Sequence, residues 1–543
     1  MAINAEITFD YIIVGAGSAG CVLAHRLSES GKNTVLLLEA GPKDDSFWID
    51  LPVGFAKTYF HPRYNYRYYS EPEKAMAGRR LYVPRGKVQG GSGSINAMIY
   101  VRGQATDFDD WAAAGNPGWG YDEVLPFFKK LEKHPSGNTQ YRSKEGLIGI
   151  TPMKSSAHPL CKYFLDAAKE LGYPITEDFN SSDFEGAGVY EANIDNGRRA
   201  SSNSAYLKPA LSRSNLHIIR NTAVQKIVFD NECRACAVQV ADGAQVANYA
   251  ARKEIILSAG AVDTPKLLML SGVGDGAQLS SHQIPVRNEL KAVGKNLQDH
   301  LCVSYFFRST IPSLNDEFRS FTGKLKMGAQ YLLNRSGPLS MSVNQAGGFL
   351  KGSDGQVNAN IQLYFNPLSY QIPDDHKHKL VPDPYSGFLL AANSCRPTSR
   401  GHIELTSASF ADAARIQPNY LSTDTDIIEA IQASRLMRKL TQARSLACVT
   451  ESEITPGLEV SSDEQMLEFF RQNAGSVYHL CGSCAMGPDP SSSVVDGRLK
   501  VHGVSGLRVI DASVFPNITS GNINAAVMMV AEKGAAMILE SGD

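Results

Sequence analysis

The first forty residues alternate between short apolar runs and one stretch with helical spacing. TFDYIIVG, which begins at Thr8, is apolar enough for a buried strand, and so is NTVLLLEAG, which reaches Glu39 at its end. Between them, SAGCVLAHRLSES places its apolar residues at helical spacing. The pattern therefore predicts a strand, a helix and a second strand, the βαβ unit of a parallel sheet.

Two later stretches repeat this pattern. EIILSAGAVDTPKLLMLSGVG predicts a strand, a turn of small residues and a helix from about Thr264. Near the C-terminus, GLRVIDASVFPNITSGNINAAVMMVAEKGAAMIL predicts a strand ending at Asp511, an irregular connection and a mostly apolar helix. Asn522 and Asn524 lie near the start of that helix, where free N–H groups and partial positive charge suit the electron-rich edge of a cofactor.

The middle of the chain has a different character. It mixes short alternating strands (ANIQLYF, GHIELTS) with polar and Pro-rich connections, and DTDIIEAIQASRLMRKLTQ predicts an amphipathic helix. This indicates an α+β domain inserted into a nucleotide-binding, Rossmann-like α/β domain. We assign residues 1–155, 204–305 and 470–543 to the discontinuous nucleotide-binding domain, and residues 156–203 and 306–469 to the substrate-binding domain.

Composition and charge narrow the class of protein. The 543-residue chain is 43% hydrophobic and 20% charged, with a formal net charge of -2 and a pI near 6.6, which gives no basis for binding nucleic acid. No apolar run reaches the roughly 20 residues of a membrane span, so we expect a cytoplasmic protein with at most peripheral membrane association. Nine cysteines without framework spacing fit a reducing compartment.

A glycine motif lies between the first strand and the first helix. Gly15, Gly17 and Gly20 form G-x-G-x-x-G, and Glu39 follows 24 residues after the first glycine. Such glycines allow a tight turn and close approach of the backbone to a pyrophosphate, while the carboxylate can accept ribose hydroxyls. In this context the motif predicts a dinucleotide site.

A second glycine-rich block occupies residues 84–103, PRGKVQGGSGSINAMIYVRG. Its run of glycines and serines from Gly90 to Ser94 offers closely spaced backbone N–H groups to a phosphate or a planar ring. The apolar INAMIYV that follows indicates that the loop is packed inside the protein rather than exposed.

These blocks together resemble the GMC (glucose–methanol–choline) oxidoreductases, FAD-dependent enzymes that mostly oxidise alcohols. The block at 84–103 is similar to the family's first signature, and GAVDTPKLLMLSGVG from Gly260 is similar to its second. VGKNLQDH from Val293 and the segment from His479 to Glu532 also fit, so the resemblance covers nearly the whole chain. The chain is most similar to the family's bacterial alcohol dehydrogenases, which act on aliphatic alcohols or polyols.

The resemblance implies FAD as the cofactor and assigns its contacts. The glycine motif, Gly20 included, and the acidic strand end would hold the ADP half, the second block would line the flavin, and C-terminal residues would meet the ribityl chain and the pyrimidine ring. The implied cofactor-binding residues are Gly15, Gly17, Ser18, Ala19, Gly20, Glu39, Ala40, Val88, Gly91, Asn96, Ala97, Met98, Val224, Asp511, Ala512 and Asn524. Some choline-oxidising relatives bond the flavin covalently through a histidine where this chain has Ile95, so we expect non-covalent FAD.

The resemblance also supplies a catalytic pair, His479 as base and Asn522 as its partner. An alcohol has a pKa of about 16, so a neutral imidazole cannot ionise it beforehand, and proton loss must accompany hydride departure to flavin N5. An asparagine amide can hold the substrate oxygen without competing for the proton. The neighbouring Asn524 could exchange roles with Asn522, and we interpret His300, His402 and His502 as structural.

Other chemistries fit the sequence less well. Cys481 and Cys484 form C-x-x-C beside His479, but a zinc site needs four local ligands and a thiol-redox pair needs a following helix, so we interpret both as packing residues and expect no metal. The cluster DDHKHK is interpreted as a solvated loop. The chain lacks the G-x-S-x-G elbow of a serine hydrolase.

The sequence thus predicts oxidation of a primary alcohol or polyol to an aldehyde or ketone, with a quinone or oxygen as electron acceptor. An oxidase that forms hydrogen peroxide stays open, as do a hydroxynitrile lyase-type reaction and a light-driven decarboxylase, whose family SCRPTSRG at Ser394 resembles. The three tryptophans lie outside the inserted domain and give no sign of an aromatic cage, which disfavours choline.

Overall fold

In a computed structural model, described over residues 7–242, 245–371 and 380–540, strands and helices follow the predicted order. The cluster DDHKHK, residues 374–379, lies outside the described residues. The strands of the two large sheets are β1 Thr8–Val14, β2 Val35–Leu38, β3 Gly186–Val189, β4 Leu216–Ile219, β5 Val224–Phe229, β6 Ala235–Asp242, β7 Gln245–Leu257, β8 Leu301–Ser309, β9 Ala346–Leu350, β10 Ile361–Asn366, β11 Gly387–Ser394, β12 Thr450–Thr455, β13 Gly475–Ser476 and β14 Leu507–Val509.

The longer helices surround these sheets. They are α1 Ser18–Ser28, α2 Ala105–Ala113, α3 Tyr121–Leu131, α4 Leu160–Glu170, α5 Gly260–Leu270, α6 Gly276–Ser281, α7 Leu314–Arg319, α8 Phe321–Asn334, α9 Asp424–Gln442, α10 Asp463–Asn473 and α11 Asn524–Glu540. Within the described ranges, no helix is both long and apolar enough to cross a lipid bilayer.

The first sheet has the order β4-β2-β1-β7-β6-β5, with β14 paired to β7. Strands β4, β2, β1, β7 and β14 run parallel to one another, and β6 and β5 extend the sheet beyond β7 as an antiparallel edge. The central strands β1 and β2 are buried along most of their length, as their continuous apolar runs predict. Helices α1, α5 and α11 complete this core.

The second sheet is antiparallel in the order β12-β8-β11-β10-β9-β3, with β13 paired to β8. Alternate residues of β8, β10 and β11 face helices α4 and α9, forming a second hydrophobic core. The intervening residues face a cavity between this sheet and the first one. The sequence-based boundary between the two domains, at residue 305, falls inside strand β8. The domain ranges stay a prediction.

One helix boundary differs from the sequence-based expectation. Helix α5 begins at Gly260 rather than at about Thr264. The Gly260 N–H donates to the Asp511 carboxylate at 2.8 Å, so a residue 251 positions away satisfies one of the helix's free donors. The earlier start therefore depends on a tertiary contact.

Candidate active site

A single cavity of about 1230 Å³ joins the glycine motifs to the histidine–asparagine pair. Most of the residues assigned from the sequence line it, although they come from distant parts of the chain. Those lining it are Gly15, Gly17, Ser18, Ala19, Glu39, Ala40, Gly91, Asn96, Ala97, Met98, Val224, His479, Asp511, Ala512, Asn522 and Asn524. The volume exceeds the roughly 300–1,000 Å³ of an ordinary ligand pocket, so a dinucleotide and a small substrate fit together.

Two assigned residues, Gly20 and Val88, lie outside the lining. A side chain at Gly20 would place its Cβ 1.9 Å from the Gly15 carbonyl oxygen, so this glycine lets helix α1 pack against the turn. Val88 is fully buried against Ile49, Tyr64 and Ile95, and its carbonyl accepts a hydrogen bond from Gly91 N at 2.7 Å. Both therefore shape the walls of the site, and their assignment as cofactor contacts stays a prediction.

The turn between β1 and α1 is built for close approach of a phosphate. Gly15 has a φ of +101°, and a Cβ there would lie 2.6 Å from the Ser258 carbonyl oxygen. No side chain caps the start of α1 at Gly17, so the helix's first N–H groups stay available. A Cβ on Gly91 would lie 2.7 Å from the Gly17 Cα, so the two glycine blocks meet where only glycines fit.

Glu39 is held rigidly at the end of β2. Its carboxylate accepts hydrogen bonds from the N–H groups of Ala16 at 2.8 Å and Gly41 at 2.7 Å. Burial raises the pKa of Glu39 to about 7, and the two N–H groups oppose that rise. The carboxylate thus faces the cavity in one orientation, suited to hydroxyls of a ribose.

The C-terminal segment closes the other side of the cavity. Asp511 accepts hydrogen bonds from Ser513 N at 2.8 Å and from Thr264 Oγ1 at 2.6 Å, which fixes the segment beneath α5. Asn524 begins α11, and its Oδ1 accepts from Ser18 Oγ at 2.7 Å, joining the two helix starts. The cavity is therefore flanked by two helix N-termini, which favour negatively charged groups.

His479 and Asn522 meet at the end of the cavity beside the second sheet. The Asn522 Nδ2 lies 3.2 Å from the His479 Nε2, and the Asn522 Oδ1 accepts from Gln362 Nε2 on β10 at 3.3 Å. Of the two asparagines, Asn522 contacts the histidine and Asn524 contacts Ser18, and their roles in catalysis and cofactor binding stay predictions.

His300, which we had interpreted as structural, lies directly behind His479. The two Nδ1 atoms are 2.9 Å apart, and the His300 Nε2 donates to the Cys395 carbonyl oxygen at 2.9 Å. Burial lowers the pKa of His300 to about 4. The sequence carried one signal for this, namely the position of His300 at the end of VGKNLQDH, but no spacing rule links it to residue 479.

The histidine contacts fix the tautomer of His479. Because Cys395 offers only an acceptor, neutral His300 carries its proton on Nε2 and presents a lone pair at Nδ1. His479 must then donate from its own Nδ1, which leaves the Nε2 lone pair facing Asn522 and the cavity. Burial, with His300 and Arg85 adding to it, lowers the pKa of His479 well below its usual range, so the ring is neutral.

The backbone around His479 is also fixed. The buried Asp299 accepts from the His479 N–H at 2.7 Å and from the Tyr420 hydroxyl at 2.5 Å. Tyr478 has a φ of +71°, an uncommon conformation for a residue with a side chain, and its carbonyl accepts from Arg85 Nη2 at 2.6 Å. Strain beside a rigidly held histidine is a common feature of functional sites.

The cysteine pair takes no part in this arrangement. Cys481 and Cys484 are fully buried free thiols within the hydrophobic core, and burial raises the pKa of both. Thiols with raised pKa values are poor nucleophiles. Across the described residues, no group of three or more His, Cys, Asp or Glu side chains is arranged to hold a metal ion.

Fold and site together define a class of protein, a dinucleotide-binding α/β oxidoreductase with a neutral, buried histidine at the substrate end. Comparison with known proteins makes this specific. Sequence models of the GMC oxidoreductase family match the N-terminal part at residues 9–302 and the C-terminal part at residues 397–531. The chain therefore belongs to the GMC oxidoreductase family, and its cofactor is FAD.

Individual relatives cover nearly the full length. The chain is 40% identical to the human mitochondrial choline dehydrogenase over 98% of this chain and 89% of the relative. It is 38% identical to an alcohol dehydrogenase [acceptor] of Pseudomonas putida, and the match covers 98% of this chain and 96% of the relative. Among solved structures it is similar to pyridoxine 4-oxidase from Mesorbium loti, with 30% identity and a TM-score of 0.87. The match covers 97% of this chain and 98% of that structure.

Proposed function

We propose that this protein is an FAD-dependent alcohol dehydrogenase that oxidises a primary alcohol or a polyol to an aldehyde or ketone. The observation that supports this most directly is the fixed tautomer of His479, whose Nε2 lone pair faces the FAD cavity beside the Asn522 amide. FAD, when bound, supplies the two-electron acceptor for a hydride. The protein's own residues supply the proton acceptor and hold the substrate.

The roles of the two residues follow from their chemistry. An alcohol hydroxyl placed at the Asn522 amide can accept a hydrogen bond from Nδ2 while it donates its proton towards the His479 Nε2. The lowered pKa of His479 keeps that nitrogen unprotonated at neutral pH. Asn522 is itself held by Gln362, so the pair is positioned before substrate arrives.

The cofactor contacts assigned above are part of this proposal. The glycine turn, Glu39 and Val224 would hold the ADP half, and Gly91, Asn96, Ala97 and Met98 the flavin. Ile95 has no group able to bond the flavin, so FAD should leave the denatured protein. Yellow chromophore that stays attached after acid precipitation would contradict this.

Anaerobic mixing with a panel of alcohols tests the function. We expect the flavin absorbance to bleach with at least one primary alcohol or polyol, and His479→Ala to keep FAD while losing about 10²- to 10⁴-fold in the rate of bleaching. Choline belongs in the panel because several relatives of this chain are named choline dehydrogenases. Subsequent addition of oxygen or of a quinone identifies the electron acceptor.

The control is the double variant Cys481→Ala with Cys484→Ala, in the same segment. Its rate of flavin reduction should stay close to that of the wild type, because neither thiol lines the cavity. No bleaching with any alcohol, or full activity of His479→Ala, would refute the proposal.

A further inference from the structure

Helix α8 is apolar on two opposite sides. On one side Met327 and Tyr331 are each only 2% exposed and pack against the protein. The other side carries four large and strongly exposed apolar side chains, which we call the α8 stripe: Phe321 at 75%, Leu325 at 58%, Leu332 at 69% and Leu333 at 80%. One apolar side is enough to pack a helix on its core, so the fold does not account for the α8 stripe.

The α8 stripe is contiguous because of its spacing along the helix. At about 100° per residue, its members lie within about 120° of arc, in the order Phe321, Leu332, Leu325 and Leu333. The exposed Ala329 falls within the same arc. From its first to its last member the stripe extends about 18 Å along the helix axis. It is therefore one continuous apolar surface and not four scattered side chains.

Lysines lie along both edges of the α8 stripe. Lys324 and Lys326 are exposed, and the same spacing places one on each side of the four apolar residues. Helix α8 contains no acidic residue. Residues 314–335, which form α7 and α8, contain four basic and two acidic side chains, although the whole chain has a formal net charge of -2. The stripe thus has a positive border, which favours a negatively charged partner.

This border decides against a second copy of the chain as the partner. A symmetric contact through the α8 stripe would bring Lys324 and Lys326 of both copies together, and like charges in such a contact repel. A lipid phosphate has the opposite charge. The lysine stems can lie along the apolar boundary while their ammonium groups reach the headgroups. A bilayer with anionic headgroups therefore matches both the stripe and its border.

Helix α8 also lies close to the cavity. It contacts the turn Pro338–Ser340, which in turn contacts the turn Pro52–Gly54. Phe55 follows directly after that second turn and lines the cavity. Phe55 also packs against the same hydrophobic cluster as Phe318 of α7, the helix that contacts α8. A surface on which α8 rests is therefore near the cavity wall.

We propose that α8 docks this protein on an anionic membrane surface. The helix lies in the plane of the headgroups, with the α8 stripe at the boundary of the acyl chains and with Lys324 and Lys326 against lipid phosphates. The contact is peripheral, because α8 has 14 residues and presents only one side to the lipid. An alcohol or electron acceptor that dissolves in lipid is thereby concentrated beside the cavity.

Flotation of the FAD-loaded protein with lipid vesicles tests the docking. The probes are vesicles of phosphatidylcholine alone and vesicles in which phosphatidylglycerol replaces part of the phosphatidylcholine. We expect binding to the anionic vesicles to be at least about tenfold tighter, because each lysine near an anionic surface adds to the attraction. Added salt should weaken that binding, since it screens exposed charges.

The apolar contribution is tested by the double variant Phe321→Ser with Leu325→Ser. It should bind anionic vesicles at least about tenfold more weakly than the wild type, because two apolar side chains no longer enter the lipid. The matched control is Val357→Ser with Leu458→Ser, which changes two apolar residues outside α8 that are 86% and 69% exposed. The control should bind as the wild type does. Bound flavin per chain checks that each variant is folded.

The charge contribution is tested by Lys324→Glu with Lys326→Glu, which should bind anionic vesicles no better than neutral ones. Equal binding of the wild type to both kinds of vesicle, or binding to neither, would overturn the proposal. So would a folded Phe321→Ser, Leu325→Ser variant that binds as the wild type does. If that variant loses its FAD, the charge variant decides, and an unchanged preference for anionic vesicles would overturn the proposal.

Analytical ultracentrifugation without lipid tests the alternative partner. A wild-type dimer that Phe321→Ser with Leu325→Ser converts to a monomer would show that the α8 stripe pairs with a second copy, and would overturn membrane docking. A protein whose oligomeric state is the same in both would support it. None of these measurements uses alcohol oxidation, so their outcome is separate from that of the alcohol panel.

Discussion

Proton transfer at His479 depends on which ring nitrogen carries the proton. The tautomer is imposed by a chain of contacts from the Cys395 carbonyl through His300 to His479. His300 does not line the cavity, so it is a positioning residue that acts through its neighbour. The contacts make the base available before substrate binds.

Removing His300 should therefore impair the base without removing it. We expect His300→Ala to lower the rate of flavin reduction about 10- to 100-fold, as loss of an orienting partner usually does. His300→Gln should restore most of the rate, because one amide can both accept from His479 Nδ1 and donate to the Cys395 carbonyl. Stopped-flow reduction of the three proteins by one alcohol measures this.

The pH profile distinguishes positioning from a merely structural role. The pKa of His479 lies well below 6.5 in the folded protein, so the wild-type rate should stay level as the pH falls from 8 through 6.5 and decline only below that. Water admitted by His300→Ala would relieve the desolvation and raise the pKa of His479, moving the decline to higher pH. Identical profiles for wild type and His300→Ala would contradict the positioning role.

Among the secondary-structure elements, the turn from β1 into α1 tolerates the least change. Gly20 lies in the first turn of α1, where a Cβ would meet the backbone oxygen of Gly15 at 1.9 Å. Backbone cannot move aside as a flexible side chain can, so the helix itself would have to shift away from β1. The position of the α1 N-terminus, and with it the pyrophosphate site, depends on this one contact.

We therefore expect Gly20→Ala to lose most of its bound flavin and about 1–3 kcal/mol of stability. Flavin absorbance per chain and urea denaturation measure the two effects. The matched control is Gly328→Ala in helix α8, where an added Cβ meets nothing within 4 Å. That variant should bind FAD normally and gain up to about 1 kcal/mol; equal behaviour of the two variants would refute the packing role of Gly20.

Across the whole molecule, a buried ionic network joins parts of the chain that the sequence-based ranges assign to different domains. Arg142 donates to Asp178 at 2.9 Å and to Glu132 at 3.0 Å, and also pairs with Glu191. Arg102, at the end of the second glycine block, donates to Glu132 at 3.0 Å. Both arginines are at most 3% exposed at the side chain, so each charge depends on its partners.

Substituting Arg142 should destabilise the protein strongly. We expect Arg142→Met to cost about 3–5 kcal/mol, because it removes the one cation that Glu132, Asp178 and Glu191 share and breaks a buried ionic network. Lys133→Met, which removes an exposed ion pair to Asp195 beside the network, should cost less than about 1 kcal/mol. Thermal unfolding of the holoenzyme measures both, and equal losses would show that the buried network contributes nothing beyond a surface pair.

Much of the fold could be predicted from the sequence because its signals are local. The apolar runs of β1 and β2, the glycine turn and helix α9 depend on residues within a few turns of each other, and the predicted Asp424–Gln442 helix is found with those bounds. The GMC signatures, read in order along the chain, were enough to predict the family and FAD, and family membership is confirmed by the matching family models.

Tertiary structure alone decided the details that determine the chemistry. His300 meets His479 across 179 residues, Asp511 sets the start of α5 across 251, and Asn366 faces the cavity only because three strands align in one register. Hydrogen bonds act over about 3 Å, so a polar group's partner is set by the folded chain's path. Local sequence therefore predicts the elements, while the packing of distant elements determines the tautomer of the base and which side chains line the cavity.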